Sequence, residues 1–485
     1  MLIPIDDSKV LYRQIYAHLR REILSGRLEA GVKLPSTRAL ASELGVSRRT
    51  VLIAYDQLIA EGYVVGETGS GTRVAELPAL EPELEPTTGK VGGRAPAQLS
   101  VYGEQIAETS PLPPPTWTLQ DYALRYDFNY GIPALEPFPR DVWRRLFANC
   151  VNRASKLGFA YGAPEGIPAL RMAIARYLQS ARAVECDASR VLVVGGSQQA
   201  LDLTARVLLN PGDAVVIEEP HYQSAREVFD TLGARLIPVP VDEQGLDVSR
   251  LPQRPGAARL VYVTPSHQFP SGATMPLARR IALLEWAERV GAYVLEDDYD
   301  SEFRYGDRPV PAVQGLDRAE RVAYMGTFSK VLFPALRLGY LVLPPVLVKP
   351  FVAAKWLADR HTSTIEQEVV AEFIDAGHFD RHLRRARAQA ERRQRALIEA
   401  LEEHFGDRVE VSGSSAGLHK LVWFDDIPSS RLDRLIERAA ETGVGVYSVA
   451  PYFIRPPRRS GLMMGYASMP ERDIRAGIEL LAQTF

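Results

Sequence analysis

The chain has 485 residues, 46% of them hydrophobic and 24% charged, with a net charge of −3. That length exceeds one ordinary domain, the composition excludes wholesale disorder, and the charge excludes a uniformly basic nucleic-acid coat. Two cysteines, Cys150 and Cys186, are too few for a disulfide framework and lack metal-ligand spacing, which fits a reducing compartment. The opening MLIPIDDSKV carries early acids and no apolar core before a cleavage site, so it does not read as a signal peptide. The most apolar region, 338–354, is broken by Pro344, Pro345, Lys349 and Pro350. The expectation is a cytoplasmic protein without a membrane span.

The first 75 residues carry ten basic and eight acidic side chains, a weak local excess of positive charge. Leu11, Ile15, Leu19 and Ile23 recur every fourth residue and predict a buried stripe on a first helix ending near Gly26. Ser36 or Thr37 can cap a second helix that buries Leu40 and Leu44 and stops at Gly45. Ser47 can cap a third, with Val51, Tyr55, Leu58 and Ile59 inward and its end at Gly62. Two helices joined by a short glycine-containing turn have helix-turn-helix spacing, and Arg48, Arg49 and Thr50 on the third helix can reach phosphates and base edges. Two short strands around Glu67–Thr72, followed by Arg73, predict a β-hairpin wing whose backbone amides can approach a phosphate.

From Leu11 to Val74 the sequence resembles the winged helix-turn-helix of the GntR family of bacterial repressors. That resemblance implies a double-stranded DNA operator as partner. The candidate DNA contacts are Arg38, Ser47, Arg48, Arg49, Thr50, Gly71 and Arg73.

Residues 76–118 hold eight prolines, six acids and two bases without sustained periodicity. The expectation is a semi-stiff spacer with a contour on the order of 130 Å. Farther on, the arginine-rich stretch 381–395 predicts the solvated face of a long helix, with Leu383, Ala386, Ala390 and Leu397 inward.

Over 119–485, short β-rich runs alternate with helical stretches: Val191–Val194, Ala214–Ile217, Leu236–Val239, Leu260–Val263, Tyr293–Leu295, Val322–Met325 and Tyr340–Leu343. Such alternation predicts an α/β fold with a mainly parallel sheet and ligand groups on loops at its edge. Four loops carry candidate chemistry. Gly195-Gly196-Ser197-Gln198-Gln199 follows a strand and opens a helix, which suits a phosphate, and Tyr222 after the next strand can stack on a planar ring. In Glu296-Asp297-Asp298-Tyr299-Asp300, a carboxylate at a strand end needs a positive partner; no metal-ligand spacing accompanies it, so no metal site is expected. Thr327-Phe328-Ser329-Lys330, with Arg337 beyond, places a lysine among hydroxyls where it can be held near a phosphate, and the second cation lowers its pKa toward a nucleophilic amine. The fourth is Tyr262-Val263-Thr264-Pro265-Ser266-His267-Gln268-Phe269-Pro270-Ser271-Gly272, a strand breaking into a turn.

In that chain order the four loops resemble the fold-type I aminotransferases, which use pyridoxal 5′-phosphate, and the likeness runs from about Tyr122 to Phe485. It implies that Lys330 forms the Schiff base with the cofactor, that Asp297 keeps the pyridine nitrogen protonated, that Tyr299 bonds the phenolic oxygen and that Tyr222 stacks on the ring. Ser197, Gln198, Thr327, Ser329 and Arg337 would cradle the phosphate, joined by Tyr161 from a partner subunit. Two departures stand out. HQFPSG replaces the usual Asn-Pro-Thr-Gly, which leaves either His267 or Gln268 to touch the phenolic oxygen. Met463 falls where these enzymes carry the arginine that receives a substrate carboxylate, although Arg455, Arg458 and Arg459 lie nearby. The whole arrangement resembles the MocR regulators within the GntR family. That likeness implies a head-to-tail homodimer that senses vitamin B6 or an amine effector and alters operator binding, or else an active aminotransferase with an appended DNA-binding module.

Overall fold

The computed structural model describes residues 10–67, 71–76, 98–108, 123–153, 159–306, 310–413 and 416–485. Its chain divides into two compact units, Met1–Gln98 and Leu99–Phe485. The wing tip, 68–70, and most of the expected spacer lie outside the described residues. Among those described, no helix is long and apolar enough to cross a membrane.

The first unit contains α1 (Leu11–Leu24), α2 (Thr37–Leu44), α3 (Arg48–Ala60) and the antiparallel pair β1 (Val64–Glu67) and β2 (Gly71–Val74). Ser36 Oγ accepts from Ala39 N at 3.2 Å and Ser47 Oγ from Thr50 N at 3.1 Å, so both expected caps form. Gly45 closes α2 in the left-handed region. Ile15, Leu19, Ile23, Leu40, Val51, Tyr55 and Leu58 make one core with Val64 and Val74 from the wing. Leu11 and Leu44, also expected inside, are half-buried, and Ile59 departs further. It is 41% exposed, on the flank of α3, and Ala54 takes the inward place instead.

The second unit opens with α4 (Val101–Glu108), β3 (Tyr126–Asp127), α5 (Arg140–Arg153) and α6 (Pro168–Arg182). Helix α4 lies inside the stretch expected to be spacer. Ser100 Oγ accepts from Gly103 N at 3.1 Å, and the Arg206 guanidinium lies 5.9 Å from the Tyr102 ring centroid, contacts that proline content does not reveal. The α/β core follows: β4 (Val191–Val194), α7 (Ser197–Leu208), β5 (Ala214–Glu219), α8 (Gln223–Thr231), β6 (Arg235–Asp242), β7 (Gly245–Leu246), β8 (Leu260–Val263), α9 (Leu277–Val290), β9 (Tyr293–Asp298), β10 (Val322–Thr327) and β11 (Gly339–Val342). These eight strands run in the order β4-β11-β10-β9-β8-β5-β6-β7. Strands β10, β9, β8, β5 and β6 are mutually parallel, whereas β11 runs antiparallel to both β10 and β4.

Alternate side chains divide the sheet between cores. Val215, Ile217, Leu295 and Met325 pack with α7 and α8, whereas Val216, Val261, Val263 and Val294 pack against Leu283 and Trp286 of α9. Burial on both faces explains the near-continuous apolar runs in the sequence.

The remainder comprises α10 (Pro345–Asp359), α11 (Thr364–Asp375), α12 (His378–Phe405), β12 (Val409–Ser412), β13 (His419–Phe424), α13 (Ser429–Glu441), β14 (Val444–Gly445), β15 (Tyr447–Ser448), β16 (Ser460–Gly465) and α14 (Glu471–Thr484). A small antiparallel sheet has the order β12-β13-β16-β15. Helix α12 buries Leu383, Ala386, Ala390 and Leu397 as its pattern predicts. It also buries Arg393, whose guanidinium bonds the Ala467 carbonyl and Glu136.

Candidate functional site

The four chemistry-bearing loops leave the carboxyl ends of β4, β8, β9 and β10, and Tyr222 follows that of β5, all along one edge of the sheet, where α/β folds bind ligands. A cavity of about 780 Å³ opens there. Ser197, Gln198, Tyr222, Asp297, Tyr299, Thr327, Ser329, Lys330 and Arg337 all line it.

The acidic strand end sorts itself by strand alternation. Glu296 accepts from Val313 N and Gln314 N, both at 2.8 Å. Asp298 accepts from Arg182 Nε at 2.8 Å and from Tyr324 OH at 2.5 Å. Asp297 faces the cavity instead. Its Oδ2 accepts from Tyr262 OH at 2.6 Å, while its buried Oδ1 has no partner among the described residues. Burial pushes the Asp297 carboxyl up to about 7, against the opposing Tyr262 bond. Across the cavity, Lys330 Nζ donates to the Gly131 carbonyl at 2.8 Å. Burial lowers the Lys330 pKa, and Asp300 and Asp297 partly offset the shift.

The glycine turn is braced from below. Gly195 N donates to Gln199 Oε1 at 2.8 Å, Gln199 Nε2 donates to Asp359 at 2.8 Å, and the buried Lys355 holds Asp359 at 2.6 Å. Gly196, at φ 99°, is the residue before α7; a Cβ there would lie 2.9 Å from Arg337 Nη2. The Arg337 guanidinium thus packs against the glycine turn that opens α7, and it donates to the Gly195 carbonyl at 3.0 Å. Amides at a helix start beside an arginine and the hydroxyls of Ser197, Thr327 and Ser329 form an anion cradle.

Neither His267 nor Gln268 is on the cavity wall; Phe269 and Thr264 are. The Gln268 amide is committed to Glu218, to the Pro220 carbonyl and to the Phe269 carbonyl, at 3.1, 2.9 and 2.6 Å. His267 lies one layer out, its Nδ1 3.0 Å from Asp300 and 2.9 Å from Tyr299 OH. A carboxylate only accepts, so the Asp300 contact assigns the proton to Nδ1. Tyr299, whose oxygen shares that ring nitrogen, itself lines the cavity. Gly417, at φ 83°, permits this packing, since a Cβ there would lie 2.0 Å from His267 Cε1.

Tyr161 is away from the cavity, 84% exposed, with its ring 6.0 Å from that of His361. Arg458 and Arg459 line a different groove of about 760 Å³, and Arg455 is exposed. Met463 is buried with Phe269, Leu421, Val449 and Tyr452. In the first unit Arg38, Arg48 and Arg49 are exposed; Arg48 Nε donates to Thr37 Oγ1 at 3.3 Å. Ser47 is occupied as a cap, and Arg73 donates to the Gly31 carbonyl at 3.0 Å, which ties the wing to the turn before α2.

Sequence reasoning missed Tyr262 as the partner of Asp297, Gln199 as the brace, and His419 and Asp300 on the wall. Gln199 and Asp300 stood inside the glycine-turn and acidic motifs, and Tyr262 opened the fourth, without a role assigned to them; His419 carried no local signal. Groups of three or more metal-ligating residues are absent among the described residues.

Residues 136–479 match the family described as aminotransferase class I and II, and residues 11–74 match the bacterial regulatory proteins of the gntR family. The probable rhizopine catabolism regulatory protein MocR of Rhizobium meliloti is 39% identical across 100% of this chain and 96% of its own. The chain belongs to the MocR regulators of the GntR family. Within that family, the pyridoxine biosynthesis transcriptional regulator PdxR of Corynebacterium glutamicum is 29% identical over 95% of this chain and 93% of its own. The multiple substrate aminotransferase of Thermococcus profundus superposes with a TM-score of 0.71 at 30% identity, covering 80% of this chain and 96% of that enzyme. The regulators thus match nearly the whole MocR-type chain, and the enzyme matches a smaller share. The second unit has the fold of the pyridoxal-phosphate aminotransferases, with the capacity to bind that cofactor which the fold implies.

Proposed function

We propose that this regulator holds pyridoxal 5′-phosphate through Lys330 and converts the state of that site, empty, loaded or engaged by an amine, into a change in operator binding. The observation that carries the reading is Asp297 Oδ1, a buried carboxylate oxygen without a donor on the wall of the cavity that also contains Lys330. A protonated pyridine nitrogen supplies that donor and a charge that offsets the cost of ionising Asp297 in a dry site. When bound, the cofactor supplies an aldehyde for an amine and a ring that accepts electron density. The chain's own groups do the rest. Amides at the start of α7, with Ser197, Gln198, Thr327, Ser329 and Arg337, hold the phosphate; the Tyr222 ring covers one face; the Tyr299 O–H donates to the phenolic oxygen. Burial keeps the Lys330 amine nearer its neutral, nucleophilic form.

Arg38, Arg48, Arg49 and Thr50, with the wing backbone at Gly71, contact operator DNA in this reading; Ser47 and Arg73 hold the reading helix and the wing. Exposed apolar side chains support a homodimer: Phe159 at 63%, Tyr161 at 84%, Val346 at 67% and Leu357 at 85%. Tyr161 would then reach a partner's phosphate. The name of the pyridoxine biosynthesis relative supports the vitamin itself as one signal.

Protein loaded with pyridoxal phosphate should show the absorbance band of lysine-bound cofactor. Borohydride reduction should fix the cofactor mass on the peptide containing Lys330, and Lys330→Ala should abolish both. Added cofactor should change the affinity for a labelled operator fragment in the wild type and leave the variant unmoved. Equal affinity and footprint with and without cofactor would overturn the sensor. An intact lysine and carboxylate also support a working aminotransferase, which sustained multiple turnover of an amino donor would reveal.

A further inference from the structure

The cavity wall beyond the lysine restricts what an effector carries at its far end, an inference that rests on the cofactor reading above. Among the described residues of the wall, the cations are Lys330 and Arg337, engaged by the aldehyde and the phosphate in that reading. An amino-acid carboxylate finds no fork there. The position expected to receive it, Met463, is buried in β16 beneath Phe269, and Arg458 and Arg459 open onto the other groove. Arg459 is moreover held by Glu410 at 2.6 Å. His419 lines the cavity, but burial, aided by His267, holds its pKa at about 3, and its Nε2 faces the Pro270 carbonyl at 3.0 Å. It adds no positive charge.

What the wall offers instead is an acceptor. Glu227, on the first turns of α8, lines the cavity with Gln223, whose Nε2 donates to Glu227 Oε1 at 2.8 Å and fixes the carboxylate. Tyr130 and Phe269 complete that side, with ring centroids 5.7 Å apart. A ligand carboxylate on this side loses its hydration beside a like charge and gains no counter-charge; a hydroxyl or ammonium group gains an acceptor.

We infer that the effector is a primary amine whose far end donates hydrogen bonds and bears no carboxylate, with Glu227, oriented by Gln223, as the specificity-determining acceptor. Three probes of equal length test it: 3-aminopropan-1-ol, 1,3-diaminopropane and β-alanine, each titrated into cofactor-loaded protein while the absorbance band and the thermal midpoint are followed. The alcohol and the diamine should move both readouts at concentrations at least about tenfold below the amino acid, the scale on which an unmatched polar group is rejected. Glu227→Gln, an isosteric change, should retain the cofactor band and lose most of the diamine's advantage. Binding of β-alanine as tight as that of the alcohol, no response to any probe, or an undiminished diamine preference in Glu227→Gln would overturn the inference. A wild-type protein that develops no band with pyridoxal phosphate would overturn the cofactor reading itself, and the two failures are thereby distinguished.

Discussion

The residue that most constrains the chemistry is Asp297, because its environment penalises the charge that its proposed task requires. Its carboxyl is raised to about 7 by burial, against an ordinary value of 3.8. An acid raised in the fold lends stability that is fully present below its unfolded pKa and is lost as pH climbs through the folded value. The cofactor-free protein should therefore lose stability relative to Asp297→Asn as pH rises from about 4 to about 7, by a few kcal/mol in all, and the difference should level off above that. Asparagine keeps an oxygen for Tyr262, so the comparison isolates the charge. Thermal melts across that window check it: a difference that stays flat with pH refutes the assignment. Pyridoxal phosphate should then raise the wild-type midpoint more than the variant's, since only the wild type gains an ion pair with the ring nitrogen. Gly417 allows a second test one layer out. Gly417→Ala puts a methyl group 2.0 Å from His267 Cε1 at a left-handed backbone position. Expected are a stability loss of about 1–3 kcal/mol and a shifted band for any cofactor retained, since displacing His267 reorients the Tyr299 O–H. An unshifted band at full occupancy would remove His267 from the network that positions Tyr299.

At the scale of elements, α3 separates folding from reading. Ser47→Ala removes the cap on the Thr50 amide and should cost about 1 kcal/mol of stability in the first unit along with operator affinity. Arg49→Ala, at an exposed position, should leave the melting curve unchanged and weaken operator binding by about 1–3 kcal/mol. Intact affinity in Arg49→Ala would mean that another face of α3 meets the DNA. Regular burial made several elements legible from periodicity: α1 through its fourth-residue stripe, β4 and β8 through unbroken apolar runs. Elements and contacts held by distant partners left no such trace. Helix α4 has Arg206 over its Tyr102, and the buried Arg393 inside an arginine run meets Glu136, 257 residues away. The cavity divides in the same way. Lys330, Asp297 and the glycine turn were legible as strand-end motifs, whereas the roles of Tyr262, Gln199 and Gly417 depend on Asp297, Asp359 and His267, partners distant in sequence.

In the whole molecule, a ligand bound in one unit must act on DNA held by the other. A ligand shifts only an equilibrium whose two states it binds unequally, so an amine in the second unit alters operator affinity only if the DNA-binding competence of the first differs between those states. Were the two readers of a homodimer tethered with complete slack, operator affinity would depend weakly on half-site spacing, and the cavity's contents would have no purchase on it. Coupling and helical phase must therefore appear together. Half-sites one turn apart, about 10 base pairs, present the same face of the duplex, and about 5 additional base pairs turn one of them to the far side. A half-turn insertion should thus lower the affinity of the cofactor-loaded regulator by roughly tenfold or more and abolish the response to added cofactor, whereas a full-turn insertion should restore much of both. Quantitative footprinting on a spacing series, with and without pyridoxal phosphate, reads both quantities at once. A cofactor response that persists at every spacing would require a signal acting within a single DNA-binding unit, and the two-headed arrangement would have to be abandoned.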